Sequence, residues 1–233
     1  MNRLRRASLL FIYQHRFEEI FINTASLKKG IKRVYPLLVF IACLFPFILL
    51  VINALTDRLG ANPIDTISCE TGQWTLFFLI LTLCIRPLYQ LMGCYHLRFN
   101  FRRMLGLYAF FYGSLHFLSY FAFDHFFDWS DMLDDMLTHP ALAIGLTAFV
   151  LMVPLAITSN RIIKKRLGGR RWKRLHKLTY LIAIGGVLHF WLLVEAKADV
   201  FIPLIYAIIL SGLLLIRYPP VMTWLKKNVT LSK

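Results

Sequence analysis

Two histidines stand deep inside apolar stretches of this 233-residue chain: His116 in "LYAFFYGSLHFLSYFAF" and His189 in "KRLHKLTYLIAIGGVLHFW". Ionisable side chains are costly in such surroundings and mark functional sites by default. Each lies 13 residues beyond the basic start of its stretch, His116 from Arg103 and His189 from His176. At the helical rise, both imidazoles sit roughly 20 Å from that start, at nearly the same depth. Two neutral imidazoles facing each other across a bundle are the axial pair that six-coordinate heme iron needs. Gly113 lies three residues before His116, and Gly185 and Gly186 lie four and three before His189. Those positions share the histidine's helix face, so each ligand overlooks a surface bare of side chains, suited to a flat macrocycle. Phe117, Tyr120, Phe190 and Trp191 can supply aromatic walls. The same pair is equally compatible with histidines bonded to backbone carbonyls or to each other, and glycine is common wherever membrane helices pack.

His176 differs. It sits among Lys173, Arg174 and Lys177, where a solvated interfacial histidine is the ordinary expectation, and it lies about 140° round an ideal helix from His189. A second bis-histidine heme at this inner level would need a partner near 102–103, and those residues are Arg102 and Arg103. The remaining histidines, His15, His96, His125 and His139, fall in polar loops or at a helix entrance. The clusters "RRMLGLYAFFYGSLH" and "GGRRWKRLHKL" suit contact with anionic lipid. They also suit the propionates of a heme or the phosphate of a flavin, because the arginine fork grips oxyanions in two places.

The elements that must position these residues are apolar helices. Hydrophobic residues make up 58% of the chain, and six stretches (34–55, 73–92, 103–123, 141–159, 177–195 and 201–217) are each long enough to cross a bilayer core of about 30 Å. The net charge of +15 would suggest nucleic acid in a soluble protein, but its distribution points to the membrane instead. Of the 27 Lys and Arg, only Arg58 and Lys197 fall in the three loops on one side, and those loops, with Glu195 at the edge of one, hold ten of the 12 acidic residues. The positive-inside rule then places both termini in the cytoplasm. The expected organisation is a basic extension over 1–33, a six-helix transmembrane domain over 34–217 and a short cytoplasmic tail over 218–233. The four cysteines form no C-x-x-C or C-x-x-C-H, which argues against covalent c-type heme and cysteine metal clusters. There is no G-x-G-x-x-G and no P-loop, so hydride collection from a nicotinamide is not expected, and no internal repeat is evident.

The stretches "RRMLGLYAFFYGSLHFLSY", "PLAITSN", "W-x-x-L-H-x-L-x-Y" (172–180), "LHFWL" and "GANPID" followed by "TG" resemble the ferric-reductase-like membrane proteins. More narrowly, they resemble the MsrQ (YedZ) family of heme-binding membrane subunits, over about 34–217. That resemblance implies a bacterial inner-membrane cytochrome with one heme b on His116 and His189 and with His176 also important. It further implies a bound FMN, whose ligands it leaves unassigned. In that family electrons pass from the quinone pool or a cytosolic flavin reductase to a periplasmic molybdopterin enzyme, MsrP, which repairs oxidised methionines of envelope proteins. Members of the wider superfamily carry two histidines on each of two helices and a fused flavin and nicotinamide domain. This chain lacks the fourth histidine and that domain, which favours an electron-transfer subunit over a self-contained reductase and leaves a second stacked heme without a ligand. An inner cofactor near His176 would shorten the roughly 20 Å that an electron must otherwise cover along the helix. Two other readings stand beside this one: a quinone- or metal-reducing cytochrome b with a different partner, and a heme-free transporter or assembly protein whose histidines line a polar path.

Overall fold

The computed structural model describes residues 34–92, 100–195 and 200–224. The basic segment 1–33, His15, His96, Cys94 and the last part of the tail lie outside the described residues. The chain divides into two units, one up to Pro46 and one from Phe47 onward. Helix α1 (Val34–Leu55) runs through that division.

The second unit continues with α2 (Pro63–Met92), α3 (Asn100–Ser119), α4 (Trp129–Thr138), α5 (Pro140–Ile157), α6 (Arg161–Leu167), α7 (Gly169–Leu175), α8 (Leu178–Glu195) and α9 (Phe201–Ile216). All described elements are helical. Four helical segments are long and apolar enough to cross a membrane: α1, most of α2, α5, and Gly169–Val194, which joins α7 to α8. Helix α9 is apolar but only 16 residues long, and α3, with Arg102 and Arg103 near its start, is not among the four.

Helix α2 packs along α3 and α5 along α8, with α3 against α5 and α9 against α8. Apolar side chains fill the contacts: Leu83, Ala109, Tyr112 and Ala183 are fully buried. Tyr112 stacks on Phe78 at 5.4 Å and accepts a 3.0 Å hydrogen bond from the Phe47 N–H. Hydroxyl groups on these helices donate back to the carbonyl four residues earlier, as Thr75 does to Thr71, Thr82 to Phe78, Ser114 to Phe110 and Thr147 to Ala143. Such back-bonding satisfies a polar group without water. The outer faces are apolar too, with Leu118, Val150, Ile184 and Ile208 exposed, as a surface facing hydrocarbon requires.

Two regions expected as loops are helical. The acidic segment after α3 closes α3 with a π turn (Tyr120–Asp124) and then forms α4, which is capped by Asp128 accepting from the Ser130 and Asp131 N–H groups at 2.8 and 3.2 Å. Met132 and Met136 of α4 are buried against Phe121. The basic segment forms α6 and α7, separated by Gly168 at φ +79° and ψ 149°, a conformation almost confined to glycine.

Candidate functional site

Ser68 and Gly72 of α2, Gly113 and His116 of α3, Gly145 and Phe149 of α5, and Gly186 and His189 of α8 line a cavity of about 340 Å³, within the range of small-molecule and cofactor pockets. The His116 and His189 rings lie 6.1 Å apart, centroid to centroid, with their planes at 73°. The two residues lie more than 70 positions apart in the sequence, and it is the packing of α3 against α5 and of α5 against α8 that brings them together.

Each ring is tied by a single backbone bond. The His116 Nδ1–H donates to the Ser68 carbonyl at 2.9 Å, and the His189 Nδ1–H donates to the Ala141 carbonyl at 2.7 Å. A carbonyl oxygen can only accept, so each bond calls for the proton on Nδ1, which in a neutral ring leaves a lone pair on Nε2. Among the described residues neither Nε2 has a hydrogen-bond partner, and both rings line the cavity.

The glycines expected beneath the imidazoles divide. Gly113 and Gly186 line the cavity, but a Cβ on Gly113 would meet Thr75 first, and one on Gly186 would meet Leu76. Gly185 is not among the lining residues: a Cβ there would meet Ala148 and Ile144 of α5. The glycines against the rings are two that sequence reasoning did not single out, Gly72 beneath His116 and Gly145 beneath His189. The reason is directional. A helical side chain leans outward onto the neighbouring helix, so the surface under an imidazole is supplied by the helix it faces. A signal was present in the spacing: Ser68, Gly72 and His116 are followed, each after 73 residues, by Ala141, Gly145 and His189.

The inner-level residues do not line this cavity. His176 caps the end of α7, donates from Nδ1 to the Trp172 carbonyl at 3.1 Å and stacks on the Trp172 ring at 4.0 Å. Trp172 is itself held by an Nε1–H bond to the Thr158 carbonyl, 3.0 Å, and by the Lys164 ammonium 4.4 Å above its ring. Arg103 is exposed and Arg102 half-buried. Arg102 lies close enough to Arg86 and Arg217 to feel both charges, and Arg217 donates to the Leu83 carbonyl and stands 4.9 Å over the Tyr180 ring. Arg86 and Arg217 were not among the sequence candidates, because only the return of α9 beside α2 brings them together.

At the other end of the cavity Tyr120 donates its hydroxyl to Asp135 at 2.7 Å, and the buried His125 donates from Nδ1 to Asp131 at 2.6 Å. The Tyr120 hydroxyl is the main cause holding the Asp135 carboxyl below the ordinary carboxylate range, whereas burial pushes Asp124 up. Among the described residues, no group of three or more His, Cys, Asp or Glu is placed to hold a metal ion.

The described apolar helices and the facing histidine pair suit a membrane protein, and residues 71–187 place it in a class by matching the family described as ferric reductase like transmembrane component. Three relatives are each called protein-methionine-sulfoxide reductase heme-binding subunit MsrQ. That of Herminiimonas arsenicoxydans is 50% identical over 77% of this chain and 82% of its own length. That of Ralstonia nicotianae is 44% identical over 79% and 85%, and that of Rhodospirillum rubrum 43% over 84% and 92%. The chain belongs to the MsrQ family.

Proposed function

We propose that this chain is a b-type cytochrome of the bacterial inner membrane that carries electrons outward to a periplasmic methionine-sulfoxide reductase. The observation that carries the reading is the pair of facing imidazoles, each with Nδ1–H committed to a backbone carbonyl and Nε2 left to bind. Two metal–imidazole bonds of about 2 Å each, plus half a ring on either side, come close to the observed 6.1 Å between centroids. A porphyrin brings four nitrogen donors of its own, so two protein ligands complete the iron, and no larger cluster of His, Cys, Asp or Glu is required. Bound there, heme b supplies a one-electron carrier. The rings of Phe117, Phe149 and Phe190 wall the cavity.

In this reading six helices cross the bilayer, with both termini cytoplasmic and His116 and His189 towards the periplasmic side, as the charge asymmetry favours. The inner arginines, Arg86, Arg102 and Arg217, offer positive charge to the phosphate of an FMN, which would relay electrons from the quinone pool or a flavin reductase. The relatives' names support assembly with a reductase, and MsrP is the partner that the family resemblance implies.

The test is a spectrum. Protein purified in mild detergent is expected to show a low-spin b-type spectrum on dithionite reduction, lost in both His116→Ala and His189→Ala, with one heme per chain. A colourless protein after heme supplementation during expression would overturn the reading in favour of a heme-free membrane protein. Released flavin near one per chain would support the inner relay, and its absence would remove it.

A further inference from the structure

We propose that Ser68 with Gly72, and Ala141 with Gly145, are two copies of one positioning device, a helix carbonyl laid open by a glycine, that holds His116 and His189 in the Nδ1–H tautomer and sets their strength as ligands. The proposal rests on the heme reading for its effect on potential, but the tautomer it requires does not depend on heme.

In a regular α-helix the carbonyl of residue i already accepts from the N–H of residue i+4. Its second lone pair faces outward, but the side chain at i+4 leans toward the helix N-terminus and covers it. At both tethers residue i+4 is a glycine: Gly72 above the Ser68 carbonyl and Gly145 above the Ala141 carbonyl. The space is filled by the imidazole. A Cβ on Gly72 would stand 3.1 Å from His116 Cε1 and 3.2 Å from Nδ1, tighter than side chains normally tolerate. On Gly145 it would stand 2.6 Å from His189 Cε1 and 2.7 Å from Nδ1, closer than atoms can approach. The histidine comes 48 residues after the carbonyl in both copies, and the copies sit on different helix pairs. One such contact is ordinary packing; its recurrence on both ligands, with the same order and spacing, is a built feature.

Its consequence follows from ligand chemistry. A free imidazole prefers its proton on Nε2, the nitrogen that must bind iron, and the carbonyl reverses that preference. The same bond pushes electron density into the ring and raises ligand basicity, which favours ferric over ferrous iron and lowers the midpoint potential. His189, with the shorter bond and the tighter glycine, carries the larger share.

Two measurements test this on the full-length protein in detergent, with Gly72→Ala, Gly145→Ala and, as a control, Gly106→Ala, whose Cβ would meet only the Thr82 side chain at 3.8 Å and beyond. In heme-loaded protein the midpoint potential is expected to rise in Gly72→Ala and to rise further in Gly145→Ala, with heme affinity in the latter about 10–100-fold weaker. Gly106→Ala is expected to match wild type. In heme-free protein, nitrogen NMR of labelled histidine is expected to report Nδ1–H at His116 and His189, with the Nε2–H form gaining at the ring beside each substituted glycine. If Gly145→Ala retains no heme, the milder Gly72→Ala supplies the potential and the NMR supplies the tautomer for both. Wild-type potential in both glycine variants, or Nε2–H tautomers in the wild-type protein, would overturn the proposal while leaving the heme reading intact. A wild-type protein that never takes up heme but shows both Nδ1–H tautomers would overturn the heme reading and leave the cradle standing.

Discussion

The Tyr120 ring lines the cavity that holds His116, while its hydroxyl reaches Asp135 in an acidic pocket with Asp124, His125 and Asp131. Its ring lies against His125, centroids 4.6 Å apart, so Tyr120 lines both the histidine cavity and the acidic pocket. Hydrogen bonds to a charged group are worth about 1.5–3 kcal/mol, and the part-exposed Asp135 falls near the lower end of that range. Because the Asp135 carboxyl is held below its ordinary range when folded, its contribution to stability is complete above the unfolded value of about 4 and fades as pH falls through the lowered folded value. Tyr120→Phe is therefore expected to lower the thermal unfolding midpoint at neutral pH. The gap to wild type should close below about pH 4; a gap that stays constant into acid would show that Asp135 is not the group responsible. His116 and His189 stood out in the sequence because an imidazole in an apolar run is costly, and the carbonyl bonds that both rings make were one of the two readings their placement allowed. The spacing of Gly185 from His189 places it on a shared face without saying which helix that face meets, and the structure sets it against α5.

At the scale of elements, α4 shows how far local signals reach. Asp128 precedes "WSDMLDDMLT" and caps it, a helix-start signal of the kind a sequence carries locally. Removing such a cap costs about 0.5–2 kcal/mol. Asp128→Ala is expected to speed amide exchange across 129–138 while leaving α3 and α5 protected, and unchanged exchange there would show that burial of Met132 and Met136 holds α4 by itself. Helices α6 and α7 share a second such point at Gly168. A non-glycine residue at its backbone angles costs about 1–3 kcal/mol, so Gly168→Ala is expected to lower the unfolding midpoint, although a Cβ there would meet no atom within 4 Å. An unchanged midpoint would mean that the α6–α7 turn can relax.

For the whole molecule, the charge asymmetry makes a claim that accessibility can check. Cys69 is exposed near the start of α2, on the acidic side of the sequence, whereas Cys84 lies half-buried further along the same helix. In intact spheroplasts a membrane-impermeant thiol reagent is expected to label a variant that keeps only Cys69, and to spare one that keeps only Cys84 until the membrane is opened. The reverse pattern would invert the proposed orientation. The sequence by itself determined the helical class, the long apolar stretches and the two histidines, because hydrophobic runs and misplaced charge are local properties that survive any arrangement of the helices. Only the tertiary structure decided which carbonyls hold the imidazoles, which glycines make room for them and which arginines meet at the inner end. Each carbonyl tether joins residues 48 positions apart, and helical periodicity fixes a residue's face but not the helix that the face will meet.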